Sequence, residues 1–186
     1  MYVNGLFDPT PPQSFLSNNP NVTNFNLGSL QGLQDLILQY TEQNQESVIS
    51  SKIILVMDGL DFLLASQPSI TSLTLSHTIM TFRRRIRNVI VTCSADYPLL
   101  HVSSTAATPL EHNHRNFVTT MAHQSRVVAQ LRSLGTGAAK DISGVLRMSA
   151  GGAYDDVEEQ DAGFEEGEWL YHVKGDGSVS VWGRGE

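Results

Sequence analysis

The sequence predicts a single domain over residues 1–186 with an α/β fold: a mostly parallel sheet flanked by helices, and antiparallel strands at the C-terminal end. Three patterns carry this expectation. The five apolar residues Ile53-Ile54-Leu55-Val56-Met57 run directly into Asp58-Gly59, as a buried parallel strand does when it reaches the carboxyl edge of its sheet. Helix-period stretches then alternate with short apolar runs. Near the end, Gly175-Asp176-Gly177 separates two strand-like segments with the chemistry of a hairpin turn.

The elements follow in order. Met1-Tyr2-Val3-Asn4-Gly5-Leu6-Phe7 reads as the end of a strand leaving the core, and residues 8–26, rich in Pro, Asn and Ser, read as a loop. Ser29 can cap a helix that carries Leu30, Leu33, Leu36, Ile37 and Tyr40 on one face, and polar residues 41–51 lead to the strand ending at Asp58. Asp61 can cap the next turn. A helix from about Ser69 to Arg87 draws its apolar surface from Leu73, Leu75, Ile79, Met80 and Phe82. A strand over Val89–Cys93 follows, then a long loop over 96–112, a short helix over Asn113–Gln124 and a strand over Arg126–Leu134. Gly144–Met148, Trp169–Val173 and Val179–Trp182 complete the set as short strands.

Composition narrows the function classes. The net charge of −7 lacks the broad basic bias of a stand-alone nucleic-acid binder. Asp155, Asp156, Glu158, Glu159, Asp161, Glu165, Glu166 and Glu168 form a run with no intervening base, expected to be a solvated, flexible acidic loop over 152–168. The lone Cys93 permits no intrachain disulfide and favours an intracellular protein, with the thiol acting as a small buried hydrophobe. No segment reaches the ~20 consecutive apolar residues of a membrane span, and no signal peptide is expected. The sequon Asn21-Val22-Thr23 has no bearing on an intracellular chain.

Asp58 is the candidate for chemistry. In P-loop NTPases a carboxylate at this strand end helps hold the Mg²⁺ that bridges the terminal phosphates. The matching cradle, Gly-x-x-x-x-Gly-Lys-Ser/Thr, does not occur in the sequence. None of the three lysines, Lys52, Lys140 and Lys174, follows a glycine. Gly59 stands where many such ATPases place a catalytic Glu. Asp58 is therefore expected to be a structural carboxylate at a Walker B-like position, with no cofactor and no metal assigned. Gly135-Thr136-Gly137-Ala138-Ala139-Lys140 lacks the Gly-Lys pair and lies between two expected strands, so a turn is expected there.

Arg83, Arg84, Arg85 and Arg87 hold a third of the twelve Lys and Arg residues within five positions. They read as the solvated end of a helix, where cations meet the negative pole of the macrodipole; the rival reading is a contact for phosphate or for an acidic neighbouring subunit. His112-Asn113-His114 with Glu111 falls short of the three or four converging ligands zinc requires. No Gly-x-Ser-x-Gly elbow occurs, and nothing adjacent would activate Cys93.

Several segments, in order, resemble the Elongator complex protein 6 family. They are Tyr2-Val3-Asn4-Gly5-Leu6, then Met57-Asp58-Gly59-Leu60-Asp61-Phe62-Leu63-Leu64, then His123-Gln124-Ser125-Arg126. Leu134-Gly135-Thr136-Gly137-Ala138-Ala139-Lys140-Asp141-Ile142-Ser143-Gly144-Val145-Leu146-Arg147 and Tyr171-His172-Val173-Lys174-Gly175-Asp176-Gly177-Ser178-Val179 complete the set. The resemblance implies a RecA-like fold without a working phosphate loop, and a non-enzymatic subunit of a six-membered ring. That ring is built with the fourth and fifth Elongator subunits, binds tRNA, joins the catalytic Elongator subcomplex and supports wobble-uridine tRNA modification, in the cytoplasm and also the nucleus. It further implies that a strand and helix preceding Tyr2 are missing, so the domain is expected to be N-terminally incomplete. Residues 96–112 correspond to loops that such rings direct toward their channel, which makes His101 and Arg115 candidate nucleic-acid contacts beside Arg83, Arg84, Arg85 and Arg87. Two other readings stay open: a RecA-type ATPase whose P-loop lies upstream, and a stand-alone interaction domain that uses its acidic loop.

Overall fold

The computed structural model describes residues 2–5, 22–25, 30–43, 53–101, 107–134, 141–154 and 165–183. It is a mixed α/β structure that divides into two compact units, Met1–Ser94 and Ala95–Glu186, each described by itself. Among the described residues no helix is long and apolar enough to cross a membrane.

In the first unit, β1 (Tyr2–Gly5) pairs in parallel with β2 (Val22–Phe25). The loop expected over 8–26 is thus interrupted by a strand, because Val22-Thr23-Asn24-Phe25 hydrogen-bonds to Tyr2–Gly5 in spite of its polar surroundings. Helix α1 (Leu30–Gln43) follows, with Ile37 and Thr41 its buried residues; the Thr41 hydroxyl donates to the Leu38 carbonyl at 2.7 Å. The expected cap Ser29 lies outside the described residues. Strand β3 (Ile54–Met57) pairs in parallel with β4 (Asn88–Val91), in the register Ile54↔Asn88 to Met57↔Val91. Parallel neighbours require a crossover, here made of α2 (Phe62–Ser66) and α3 (Ser72–Arg83).

Burial of β3 is one-sided, which corrects the expectation of a fully buried strand. Met57 is buried, whereas Ile54 and Val56 on the alternate face, with Ile90 opposite Val56, are exposed. Helix α3 begins at Thr71, whose hydroxyl accepts from the Thr74 amide at 3.2 Å. Its buried stripe is Leu75, Ile79 and Phe82, continued by Ile86 beyond the helix end. Leu73 and Met80, expected in that stripe, are exposed at 66% and 39%. At 3.6 residues per turn they lie roughly 140–160° around the axis from Leu75. Thr78 takes an inner position, its hydroxyl donating to the Thr74 carbonyl at 3.1 Å.

The second unit opens with α4 (Tyr97–Leu100) and α5 (Pro109–Gln124), which pack together. Residues 97–100 and 109–112 are therefore helical where a loop over 96–112 is the expectation. The start of α5 has a definite cause. Thr108 accepts from the Glu111 amide at 3.3 Å, the Glu111 carboxylate accepts from the Thr108 amide at 2.7 Å, and Pro109 fills the first helical position. Strands β5 (Val127–Arg132), β6 (Gly144–Ala150), β7 (Gly167–Val173) and β8 (Val179–Gly183) form an antiparallel meander in that order. The antiparallel strands expected at the C-terminal end are present, and parallel pairing among the described residues is confined to β1–β2 and β3–β4.

The β7–β8 hairpin closes as its sequence requires. The Gly177 amide donates to the Lys174 carbonyl at 2.9 Å, the Asp176 carboxylate accepts from the Ser178 amide at 2.9 Å, and Gly177 takes φ +83°. At the other end of the meander, β6 runs into Gly151-Gly152 against the C-terminus of α5. The Gly152 amide donates to the Ala122 carbonyl at 3.2 Å and the Ala153 amide to the Ser125 carbonyl at 3.1 Å.

Two outcomes follow from this packing. A β-carbon at Gly151 would meet the Ser125 carbonyl oxygen at 2.0 Å, so Gly151→Ala should lower stability by about 1–3 kcal/mol in urea unfolding. The Glu111 carboxyl is held below the usual carboxylate range by the Thr108 amide and then the Thr108 hydroxyl. Its contribution is present above the ordinary value of 4.5 and is lost as pH falls through the lowered one. Glu111→Gln should flatten that acid-side loss of α5 helicity, followed by circular dichroism.

Candidate functional site

The carboxyl ends of β3 and β4 build the site that the sequence singles out. Parallel pairing brings Asp58, one residue past β3, beside Thr92, one residue past β4. The Thr92 amide donates to the Met57 carbonyl at 2.9 Å and the Leu60 amide to the Thr92 carbonyl at 3.2 Å, which extends the ladder around the strand ends. The Thr92 hydroxyl donates to Asp58 Oδ1 and accepts from the Gly59 amide at 2.9 Å. Gly59, at φ +62°, supplies the left-handed bend that turns its amide onto Thr92. Asp58 is exposed, and its carboxylate is one member of a side-chain latch across the two strands.

Asp61 occupies the N-cap position of α2 but has helical backbone angles and no side-chain capping hydrogen bond, which corrects the capping expectation. Its carboxylate acts elsewhere. Burial pushes the Cys93 thiol up to about 11, and the Asp61 charge adds to the rise. A thiol held protonated in this way is a poor nucleophile. Cys93 is half-buried, not fully enclosed as a core residue would be.

Arg83, Arg84, Arg85 and Arg87 are all exposed at the end of α3. They are presented on a fixed turn: the Arg84 amide donates to the Met80 carbonyl at 3.3 Å, the Arg85 and Ile86 amides donate to the Phe82 carbonyl at 2.9 and 2.8 Å, and Ile86 is buried between them. Arg85 Nη1 lies 2.8 Å from Glu42 Oε1, tying the end of α3 to the end of α1. An exposed pair of this kind contributes about 0–1 kcal/mol, so its effect is mainly to orient Arg85.

The remaining candidates lie in the second unit. His101 follows α4 and is exposed. Its ring stacks on Tyr97 with centroids 3.9 Å apart and an interplanar angle of 14°, and its Nδ1 donates to the Tyr97 carbonyl at 3.2 Å. Arg115 is exposed on α5. His112 is exposed and His114 buried, as helical geometry requires of residues two apart. Among the described residues no group of three or more His, Cys, Asp or Glu converges.

Gly135–Lys140 lies outside the described residues, but its flanks are β5 and β6, antiparallel neighbours with Arg132 opposite Val145. A phosphate loop instead leads from a strand into a helix. The acidic run is only partly described. Glu168 belongs to β7 and pairs with Arg132 of β5, and the Glu166 carboxylate accepts from the Ala150 amide, so the end of the run is tied to the sheet. Residues 155–164 lie outside the described residues.

Sequence reasoning missed Thr92, although Thr92 stands one residue beyond an apolar strand, as Asp58 does. It also missed the Tyr97–His101 stack, for which the i, i+4 spacing is a usable signal. Compared with models of protein families and with curated proteins, the chain matches none.

The latch makes Thr92→Val the informative substitution: the Gly59 amide and Asp58 lose their shared partner. Stability should fall by about 0.5–1.5 kcal/mol, with faster exchange of the Gly59 amide, whereas Thr92→Ser should keep both near wild type. For Cys93, alkylation by iodoacetamide at pH 8 should run roughly a hundredfold slower than for a thiol of the ordinary value, with a rate midpoint near pH 11. The raised value contributes stability that is complete below 9.0 and is lost as pH rises through about 11.

Proposed function

We propose that this chain is a non-catalytic subunit of the Elongator complex. It assembles with the fourth and fifth Elongator subunits into a RecA-like ring of six that binds tRNA and supports wobble-uridine modification. The observation that carries this is the Asp58 latch. Asp58, a carboxylate placed at a parallel strand's carboxyl end, where an NTPase would hold Mg²⁺, accepts from the Thr92 hydroxyl, which itself accepts from the Gly59 amide. Side-chain and backbone hydrogen bonds link the two strand ends at that edge. The parallel β3–β4 pair with its helical crossover and the antiparallel meander are compatible with such a domain. The ordered segments quoted above supply the family.

Within the ring, Arg83, Arg84, Arg85 and Arg87 would offer cations to RNA phosphate or to acidic residues of a neighbour, with His101 and Arg115 as further contacts from the second unit. A chain of net charge −7 can serve RNA only through such local patches, lined up by several subunits.

Co-expression with the fourth and fifth subunits should yield a six-membered complex by native mass measurement. Recovery of the chain only as a monomer beside its intended partners would sink the proposal. In that complex, Arg83→Glu with Arg84→Glu should weaken tRNA binding and reduce its salt dependence if these residues contact phosphate. Magnesium-dependent ATP turnover by the chain alone, abolished by Asp58→Asn, would establish the enzyme reading instead. Loss of a partner on deleting residues 155–164, with the ring intact, would favour an interaction domain.

A further inference from the structure

We draw no further inference here: the strongest candidate, the uncharged face of the β5–β8 sheet that runs from Val127 and Leu131 to Val179 and Val181, is an exposed apolar surface, and nothing in the structure shows what covers it.

Discussion

Parallel pairing of β3 with β4 is the constraint on which the first unit rests. Two strands running the same way cannot be joined by a turn, so residues 58–87 must cross back, and they do so as two helices. The crossover has to bury something. Leu60, Leu63, Leu64, Ile70, Leu75, Ile79, Phe82 and Ile86 are its buried apolar residues, and Phe82 and Leu75 are fully enclosed. The same pairing puts both strand ends at one edge, and only for that reason can one threonine serve the Asp58 carboxylate and the Gly59 amide together. Fold and candidate site thus share a single cause.

What the sequence made legible was governed by local signals. The apolar run ending at Asp58, the helix leading to Arg83 and the Gly-Asp-Gly hairpin all declare themselves within a few residues. The start of α5 was equally local, in Thr108-Pro109 with Glu111 three places after the cap, yet it was hidden by the loop-like character of the residues before it. Strand β2 was not legible, because Val22–Phe25 is too short to show a period and acquires its identity from Tyr2–Gly5. The inner face of α3 was half legible. Counting apolar residues could not separate Leu73 and Met80 from Leu75 and Phe82, whereas their angular positions do.

Charge shows why a one-dimensional reading of the acidic run misleads. Along the chain, no base interrupts Asp155 to Glu168. Across the sheet, Glu168 lies opposite Arg147 and pairs with Arg132 two strands away, so antiparallel registry supplies the cations that the run lacks. The same registry sorts the whole meander. Val128, Gln130, Arg132, Val145, Arg147, Ser149, Glu168, Leu170, His172, Ser180 and Trp182 share one mixed face, and every charged residue of the strands is on it.

A similar sorting bears on what the arginines at the end of α3 can do. Cations at a helix C-terminus are favoured by the carbonyl pole they face, so their presence there needs no ligand. That argument covers charge but not rigidity. Ile86, buried at 2% exposure between Arg85 and Arg87, fixes the backbone on which the guanidinium groups sit, and Glu42 orients one of them. A merely solvated helix end would fray; this one is anchored by Phe82 and Ile86. Cations presented from a fixed turn lose less entropy on meeting an anion than cations on a frayed end. Preorganisation of this kind is what a phosphate or carboxylate contact would exploit, and it is compatible with the helix-end electrostatics that already account for the charge.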